Sequence, residues 1–451
     1  MNILKFGGSS MADESTWRKV LEIIETTENP AVVVSATSQT TNALIESAEQ
    51  AKNGNIEKAK EISSDIAERH KTLVDKFLTQ NDIESPDIQK ACEQHVDELI
   101  HHLNNFLMGI YTLGELTPKS MDTVSSIGER LSSYLLAKCG NALDMNTYYV
   151  DSRKILKTDS VFGRAKPDMD KITKAATSVK EQMADSKIPI IGGFYGSNDK
   201  GEITTLGRGG SDYSASLFGL ALDADTIQIW TDVSGMFTSD PRYIEGTQPI
   251  PEIGFNEAAE LAYFGARVLH PATIQPAVEK DIPVLVKNTF EPEKQGTRIV
   301  SDNKQPTAIR AIAFKKNIHI ITVSSSRMLM AYGFLSRVFD IFEQFHVSVD
   351  VVTTSEVSIS MTVDSEDYLD EIIHELSKTG EVKMTHNQGL VSVVGQNFLE
   401  ATGIAAKTFS ALDDIPVRMI SQGSSNNNIT LVVDNNDVIK AAQALHDNFF
   451  N

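Results

Sequence analysis

The stretch Thr204–Asp212 reads Thr-Thr-Leu-Gly-Arg-Gly-Gly-Ser-Asp and sets a permanent cation, Arg208, among three glycines. Ser211 and Asp212 stand where a helix should begin. Glycines let backbone N–H groups come close to an anion, and a helix N-terminus adds donors and a favourable dipole. The chemistry this supports is the handling of phosphate or carboxylate. Tyr213, Leu217 and Leu220 continue the stretch as an apolar helical stripe, interrupted by Gly219. A related arrangement opens the chain, where the short apolar strand Asn2–Phe6 carries Lys5 and runs into Gly7, Gly8, Ser9 and Ser10. A strand feeding a glycine turn is a phosphate-loop geometry, but the lysine precedes the glycines and the Walker A spacing is absent. Other polar groups follow apolar runs: the row Thr37–Asn42, Glu129 after Gly128, Thr231 and Asp232, the loop Ser239–Arg242, and Arg267 within Phe264–Pro271. Taken singly, each has an ordinary alternative as a cap, a turn or a solvated charge.

These side chains need a scaffold, and the apolar pattern supplies one. Strand-like runs at Asn2–Phe6, Ala31–Ala36, Asn146–Val150, Ile188–Phe194, Thr226–Trp230 and Pro283–Val286 are separated mostly by helical stretches. That alternation predicts a largely parallel α/β sheet, whose ligands gather at the carboxyl ends of the strands. Turn residues Asn198–Gly201 predict a hairpin that delivers the loop at 204–212 to those ends. Ala43–Leu113 has helical spacing, as in Val96, Leu99, Leu103 and Phe106, and Met121–Leu136 reads as another helix. The adjacent His101 and His102 diverge on a helix and cannot chelate one metal.

After about Thr297 the pattern becomes strand, helix, strand, strand, helix, strand: Asn317–Val323, Phe334–Phe345, Val347–Thr353, Val357–Val363, Tyr368–Ser377 and Val382–Thr385. A second unit follows, with strands at Leu390–Val394, Val417–Ser421 and Asn428–Val433 and helices at Ala401–Ser410 and Val438–Phe450. It lacks a fourth strand. Ala308–Phe314 is an unassigned strand just upstream, so the first unit is expected to be inserted within the second.

At 451 residues with 41% apolar content, the chain is long enough for two or three domains. Its formal charge of −20, from 41 basic and 61 acidic residues, excludes broad binding to nucleic acid or an anionic membrane. Cys92 and Cys139 have no metal-ligand spacing and are expected as inert thiols. No signal-peptide core or membrane-length apolar run is present, so a cytoplasmic protein is expected.

Lys-Phe-Gly-Gly-Ser-Ser, Ser-Ile-Gly-Glu-Arg, the stretch 204–212, Trp-Thr-Asp-Val-Ser-Gly, Ser-Asp-Pro-Arg and Phe-Gly-Ala-Arg-Val-Leu-His-Pro occur in this order. With them the chain resembles aspartate kinase over nearly its whole length, most like the monofunctional, lysine-sensitive type. The resemblance implies an amino-acid-kinase-like α/β domain over 1–297, a first ACT-like βαββαβ unit over 317–386, and a second made of 306–316 plus 387–451. It implies phosphorylation of the β-carboxylate of L-aspartate by ATP with Mg²⁺. Lys5 then supports the transferring phosphoryl group, and Asp212 orders the cations. Thr41, Glu129, Phe194, Arg208 and Ser211 form the aspartate pocket, with Arg208 on the α-carboxylate and Glu129 on the ammonium. Gly7, Gly8, Gly209 and Gly210 lend backbone donors to the nucleotide phosphates. Ser9, Thr231, Asp232, Phe237, Arg242 and Arg267 complete the nucleotide set. Phe237 replaces a usual tyrosine and Arg267 a usual lysine. The resemblance further implies a homodimer through the ACT-like units. It also implies inhibition by L-lysine at Met328, Gly333, Phe334, Leu335, Ser348, Val349, Asp350, Ser355 and Glu356, with Ala331 where a serine can occur. Phe334, Leu335 and Val349 also read as core. Two rival readings are another amino-acid or carbamate kinase of the same fold and a non-catalytic amino-acid sensor. Arg208 with Glu129 and the ACT-like pair argues against the first, and intact Lys5 and Asp212 against the second.

Overall fold

Lys5 sits on a strand covered on both faces, which is why an otherwise apolar segment can hold its ammonium in a fixed place. In a computed structural model of the chain, residues 1–264, 271–301, 309–325 and 332–450 are described. The first strands are Asn2–Phe6 (β1), Pro30–Val34 (β2), Thr147–Val150 (β3), Ile188–Gly192 (β4), Tyr195–Ser197 (β5) and Ile203–Thr205 (β6). Thr226–Thr231 (β7), Glu252–Gly254 (β8), Val284–Asn288 (β9) and Thr297–Val300 (β10) follow. Two compact units are distinguished: Met1–Met236, Pro251–Phe255 and Val268–Asn303 form one, and Phe237–Ile250, Asn256–Arg267 and Lys304–Asn451 the other.

In the first unit, eight strands pair in the order β3-β4-β2-β1-β7-β9-β10-β8, parallel except where β10 meets β9. The parallel α/β sheet expected from the sequence is therefore present. β2 reads Pro-Ala-Val-Val-Val and is buried throughout, the continuous apolar run of a strand with both faces covered. The helical stretch after it is three helices, Thr40–Lys52, Ile56–Gln80 and Pro86–Leu113. Gly54, with φ of 85°, and Pro86 at the start of the third mark the breaks. Val96, Leu99 and Leu103 join a core that also holds Trp17, Phe77 and Leu131. Phe106 is instead exposed, because the buried stripe steps from Leu103 to Leu107, four residues on. The expected helix at 121–136 is two, Pro118–Ser125 and Ile127–Ala142. Cys92 and Cys139 are free and buried, and burial pushes the Cys92 thiol up to about 12. Among the described residues no helix is long and apolar enough to cross a membrane.

The second unit contains Ile309–Ser324 (β11), Val352–Thr354 (β12), Ser358–Val363 (β13), Glu381–Gly395 (β14), Met419–Gln422 (β15) and Asn428–Asp434 (β16). They form one antiparallel sheet in the order β12-β13-β11-β14-β16-β15. Here the structure differs from the separate short strands read from the sequence. β11 and β14 each run continuously through both βαββαβ units. Ile309–Lys315 pairs with Leu390–Gly395, which in turn pairs with β16, whereas Ile318–Ser324 pairs with β13 and the start of β14. No glycine or proline interrupts β11. Register shifts near Lys315 and Ile318, with left-handed Asn317 (φ 58°) and Asn387 (φ 52°), bend the ladder without ending it. Helices Phe334–Gln344 and Leu369–Ser377 pack with Ile321, Ile359 and Met361 in one core, and Val438–Phe450 packs with Ile312, Val391 and Leu431 in another.

Candidate active site

Gly209 takes φ of 72° and is the N-cap of the helix Gly210–Leu222. The helix thus begins one residue earlier than expected, and Ser211 and Asp212 occupy its first turn. Their side chains face a ligand space rather than closing the helix end, and their N–H groups belong to a turn that lacks intrahelical acceptors. The root of this loop is held from a distance. Asp122, 2% exposed, accepts the N–H and hydroxyl of Thr205 at 2.9 and 2.8 Å and the N–H of Gly163 at 2.9 Å. Burial raises its pKa, against the pull of those donors.

Lys5, Ser35, Thr41, Glu129, Phe194 and Gly207–Asp212 line one cavity of about 280 Å³, near the lower end of ligand sites at roughly 300–1,000 Å³. All seven residues assigned to catalysis and the aspartate pocket are among them. Lys5 at the end of β1, Ser35 beyond β2 and Phe194 beyond β4 mark the carboxyl ends of neighbouring parallel strands. Lys5 Nζ lies 2.6 Å from Asp212 Oδ1, yet that oxygen has no hydrogen bond of acceptable direction. Charge holds the pair at that oxygen. Phe194 adopts φ of 73°, unusual for a side chain of its size, and is fixed by its N–H to Ser214 Oγ at 2.9 Å and its carbonyl to Leu206 N at 2.9 Å. Beside it, a Cβ on Gly193 would lie 2.8 Å from Ser211 Cα, so only glycine permits this approach.

Glu129 is 4% exposed, and its Oε2 has no hydrogen-bond partner. Burial pushes its pKa up to about 8, opposed by the N–H groups of Ala36 and Glu129 itself and by the charge of Lys5. Arg208, by contrast, is exposed at the mouth. A buried carboxylate at one place and cations at two others suit a small zwitterion that carries a further negative group.

The expectation that four glycines lend donors is corrected for two of them. Gly7 N–H is given to Trp230 O at 3.1 Å and Gly210 N–H to Gly207 O at 3.0 Å. These two serve close backbone approach instead, while the N–H groups of Gly8 and Gly209 meet no carbonyl among the described residues. Ser9 follows in the same turn. Thr231 donates its hydroxyl to Asp232 at 3.0 Å. Phe237 and Arg242 belong to the second unit, where Phe237 bridges Pro249 and Arg242 makes a two-point pair with Asp240 at 3.0 and 2.6 Å. Arg267 lies outside the described residues. Gly207 belongs to the glycine-rich stretch already read as a ligand loop, while Ser35 and Asp122 were not anticipated. Ser35 lies within the strand run read at 31–36, but nothing in the local pattern marks Asp122.

In the proposed effector region, Gly333 caps the helix Phe334–Gln344 with φ of 74°. Phe334 and Val349 pack into the core as expected, but Leu335 is 41% exposed. It falls on the solvent side of that helix. Ser348, Ser355 and Glu356 are exposed, and Met328 lies outside the described residues. Asp350 is held inside the protein by its own partners. Its side chain is 4% exposed, Oδ1 accepts the hydroxyl of Tyr263 at 2.6 Å, and Oδ2 meets Lys315 Nζ at 3.2 Å.

The amino acid kinase family profile matches residues 1–288, and an ACT domain profile matches residues 391–449. Lysine-sensitive aspartokinase 3 of Escherichia coli is 34% identical over 99% of both chains. Chloroplastic aspartokinase 3 of Arabidopsis thaliana is 36% identical over 99% of this chain and 81% of its own length. Two crystal structures of Escherichia coli aspartokinase III, at 33% identity, cover 100% of both chains. The one in complex with lysine and aspartate has a TM-score of 0.87, and the one with aspartate and ADP 0.84. With one charged cavity at the strand ends, an ACT-containing second unit and full-length similarity to these enzymes, the chain belongs to the aspartokinases of the amino acid kinase family.

Proposed function

We propose that this kinase transfers the γ-phosphoryl group of MgATP to the β-carboxylate of L-aspartate, the first step toward lysine, threonine and methionine, and that L-lysine inhibits it. The observation that carries the reading is the open oxygen of buried Glu129, which calls for a cationic ligand group within the cavity that Arg208 borders. Glu129 receives the substrate ammonium and Arg208 forks onto the α-carboxylate. Thr41, Phe194 and Ser211 bound the side chain, directing the β-carboxylate toward Lys5. That carboxylate is already ionised at neutral pH, so no general base is needed. Its oxygen forms a bond to the γ-phosphorus as the bond to the β,γ-bridging oxygen breaks, and the electron pair leaves on ADP. Lys5 and the first turn of the helix Gly210–Leu222 offset the developing charge. Mg²⁺ fits the donor chemistry here: Asp212 supplies a buried carboxylate, paired with Lys5 at 2.6 Å, and this ion binds through one or two carboxylates plus substrate phosphates. When bound it neutralises phosphate charge. Thr231 and Asp232 are assigned to the nucleotide, with Gly8 and Gly209 as donors.

The division into 1–297, 317–386, and 306–316 plus 387–451 is supported by the pairing of Ile309–Lys315 with Leu390–Gly395. Lysine inhibition is supported by the exposed Ser348 and Glu356 in the segments on either side of β12, and by the lysine-sensitive relative. Because Asp350 is already bonded to Tyr263 and Lys315, a ligand ammonium competes with them for its charge. A homodimer is supported by exposed apolar groups in the second unit, Leu335, Phe339, Val352, Val357 and Ile420, with β12 and β15 at the sheet edges.

Four outcomes follow. Glu129 titrates at about 8 in the free protein and an ammonium ligand favours its charged form, so aspartate binding expels a proton below that pH. KM for aspartate should fall by up to ~10-fold per pH unit from 6.5 toward 8, then level off, and Glu129→Gln should abolish this slope. A flat wild-type profile refutes the assignment. Lys5→Ala should chiefly lower kcat, by ~10²-fold or more, and Arg208→Ala should chiefly raise KM for aspartate; steady-state kinetics of folded variants decide this. In lysine titrations at low aspartate, Glu356→Ala should raise the half-inhibiting concentration and Tyr263→Phe should lower it, each roughly tenfold. Absence of wild-type inhibition up to millimolar lysine overturns the effector site. Light scattering at micromolar concentration should give a dimer, and a monomer would contradict the assembly proposed.

A further inference from the structure

The cavity wall at Ser35–Thr41 is held by two residues that do not line the cavity, on the helix Ile56–Gln80. His70 is 0% exposed; its Nδ1 lies 2.7 Å from Ile66 O and its Nε2 3.0 Å from Thr37 Oγ1. Its neighbour Arg69 donates to Thr37 Oγ1 at 2.9 Å and to the carbonyl of Ser38. Thr37 and Thr40 hydroxyls are 2.5 Å apart, and both residues are buried.

The directions of these bonds can be worked out. A carbonyl only accepts, so Nδ1 of His70 carries the proton that Ile66 O receives. Burial takes the His70 pKa down to about 4, so the ring is neutral near pH 7 and Nε2 is an acceptor. Thr37 must therefore donate its one hydroxyl proton to His70. Its oxygen accepts from Arg69 and from Thr40, and every donor and acceptor at this centre is used.

This arrangement bears on the site because of what the loop carries. Ala36 supplies an N–H to the Glu129 carboxylate, and Thr41 lines the cavity. Between them Gln39 is left-handed, φ 65°, at a helix N-cap with no side-chain bond. Such a conformation persists in a non-glycine residue only when its surroundings over-determine it. The bonds from Arg69 to the Ser38 carbonyl and from the Thr37 hydroxyl to His70 supply that constraint. On the other side, a Cβ on Gly128 would lie 2.7 Å from the Ala36 side chain, so the loop has no slack against the helix that bears Glu129.

We propose that Arg69 and His70 are positioning residues for the acceptor pocket, acting through Thr37 to place Ala36 N–H against Glu129 and Thr41 against the substrate. This rests on the reading of the cavity as the acceptor site. The consequence is a selective effect: loosening the loop weakens acceptor binding and leaves the nucleotide alone.

The test is steady-state kinetics of the full-length protein with aspartate, glutamate and carbamate as separate acceptors. The wild type first establishes which acceptor is used, and failure with aspartate would refute the substrate reading alone. KM for whichever acceptor the wild type uses is then the readout. His70→Phe keeps a ring but leaves the Thr37 proton without an acceptor, so it should raise that KM about tenfold, with KM for ATP within twofold. His70→Gln, which restores a neutral donor and acceptor, should recover most of the loss. Arg69→Ala, at a half-buried position, gives the same selective shift if His70→Phe does not fold. Equal changes in both KM values, or a fall in kcat and thermal stability without the split, would overturn the proposal.

Discussion

A carboxyl group held away from water with one oxygen unmatched is the constraint on which the first unit depends. Glu129 sits near the start of the helix Ile127–Ala142, where the helix has been brought against the ends of two strands. Glycines make that closeness possible: a Cβ on Gly128 would meet Ala36, and one on Gly192 would lie 3.0 Å from Glu129 O. The same closeness excludes water and raises the pKa to about 8. A backbone N–H and the charge of Lys5 temper the desolvation without removing it. The remaining acceptor can be completed by a ligand, and a group with its own proton and positive charge does so best. Geometry and affinity for an ammonium thus have a common cause in packing.

Much of this was legible along the chain, and what was missed has a shared character. β1 could be read to the residue because an apolar run ends at a glycine pair. Lys5, Arg208 and Asp212 stand out because they are polar groups beside strand ends or glycines, whereas Glu129 reads locally as a solvated charge and is singled out only by the resemblance to aspartate kinase. Asp122 could not be read, since its partner Thr205 is 83 positions away and neither residue departs from a local pattern. Arg69 and His70 were equally silent on a helix of ordinary composition, 32 and 33 positions from Thr37. Glycine roles were read only in part. The sequence shows where a backbone can come close, but whether an N–H is still free depends on which carbonyl the fold brings to it, as Trp230 is brought to Gly7.

In the second unit, the order of elements was readable while the extent of its strands was not. Residues 315–317 look like a boundary because two lysines and an asparagine interrupt the apolar alternation. In the sheet they form a bulge, with Asn317 in the left-handed region, and β11 continues to Ser324. The two βαββαβ patterns therefore share strands. A displacement on one half of β11 reaches the other through the backbone itself. Helix residues are tied to the same sheet: Glu257 is 3.1 Å from Arg310 and 2.7 Å from Gln396, Glu260 meets Ser425 and Asn428 at 2.8 and 2.6 Å, and Tyr263 meets Asp350. Spacings of three place these residues along one face of the helix Phe255–Phe264.

Comparison of Asp350 with Glu129 shows how two buried acids can answer ligands differently. Glu129 keeps an open oxygen and is raised toward neutrality, so a ligand adds a bond at that oxygen and a positive charge close to it. Asp350 has both oxygens occupied, one by the phenol of Tyr263 and one by the ammonium of Lys315, which itself lies 2.5 Å from Asp364. A cation arriving there competes with groups already in place, and its net gain is smaller. That competition is what a regulatory site requires. A ligand moves an equilibrium only by the difference in its affinity for two states, and under the proposed effector role the release of Tyr263 from Asp350 would provide such a difference. An acid left open favours tight, committed binding, whereas an acid already satisfied turns binding into a choice between two arrangements of the protein.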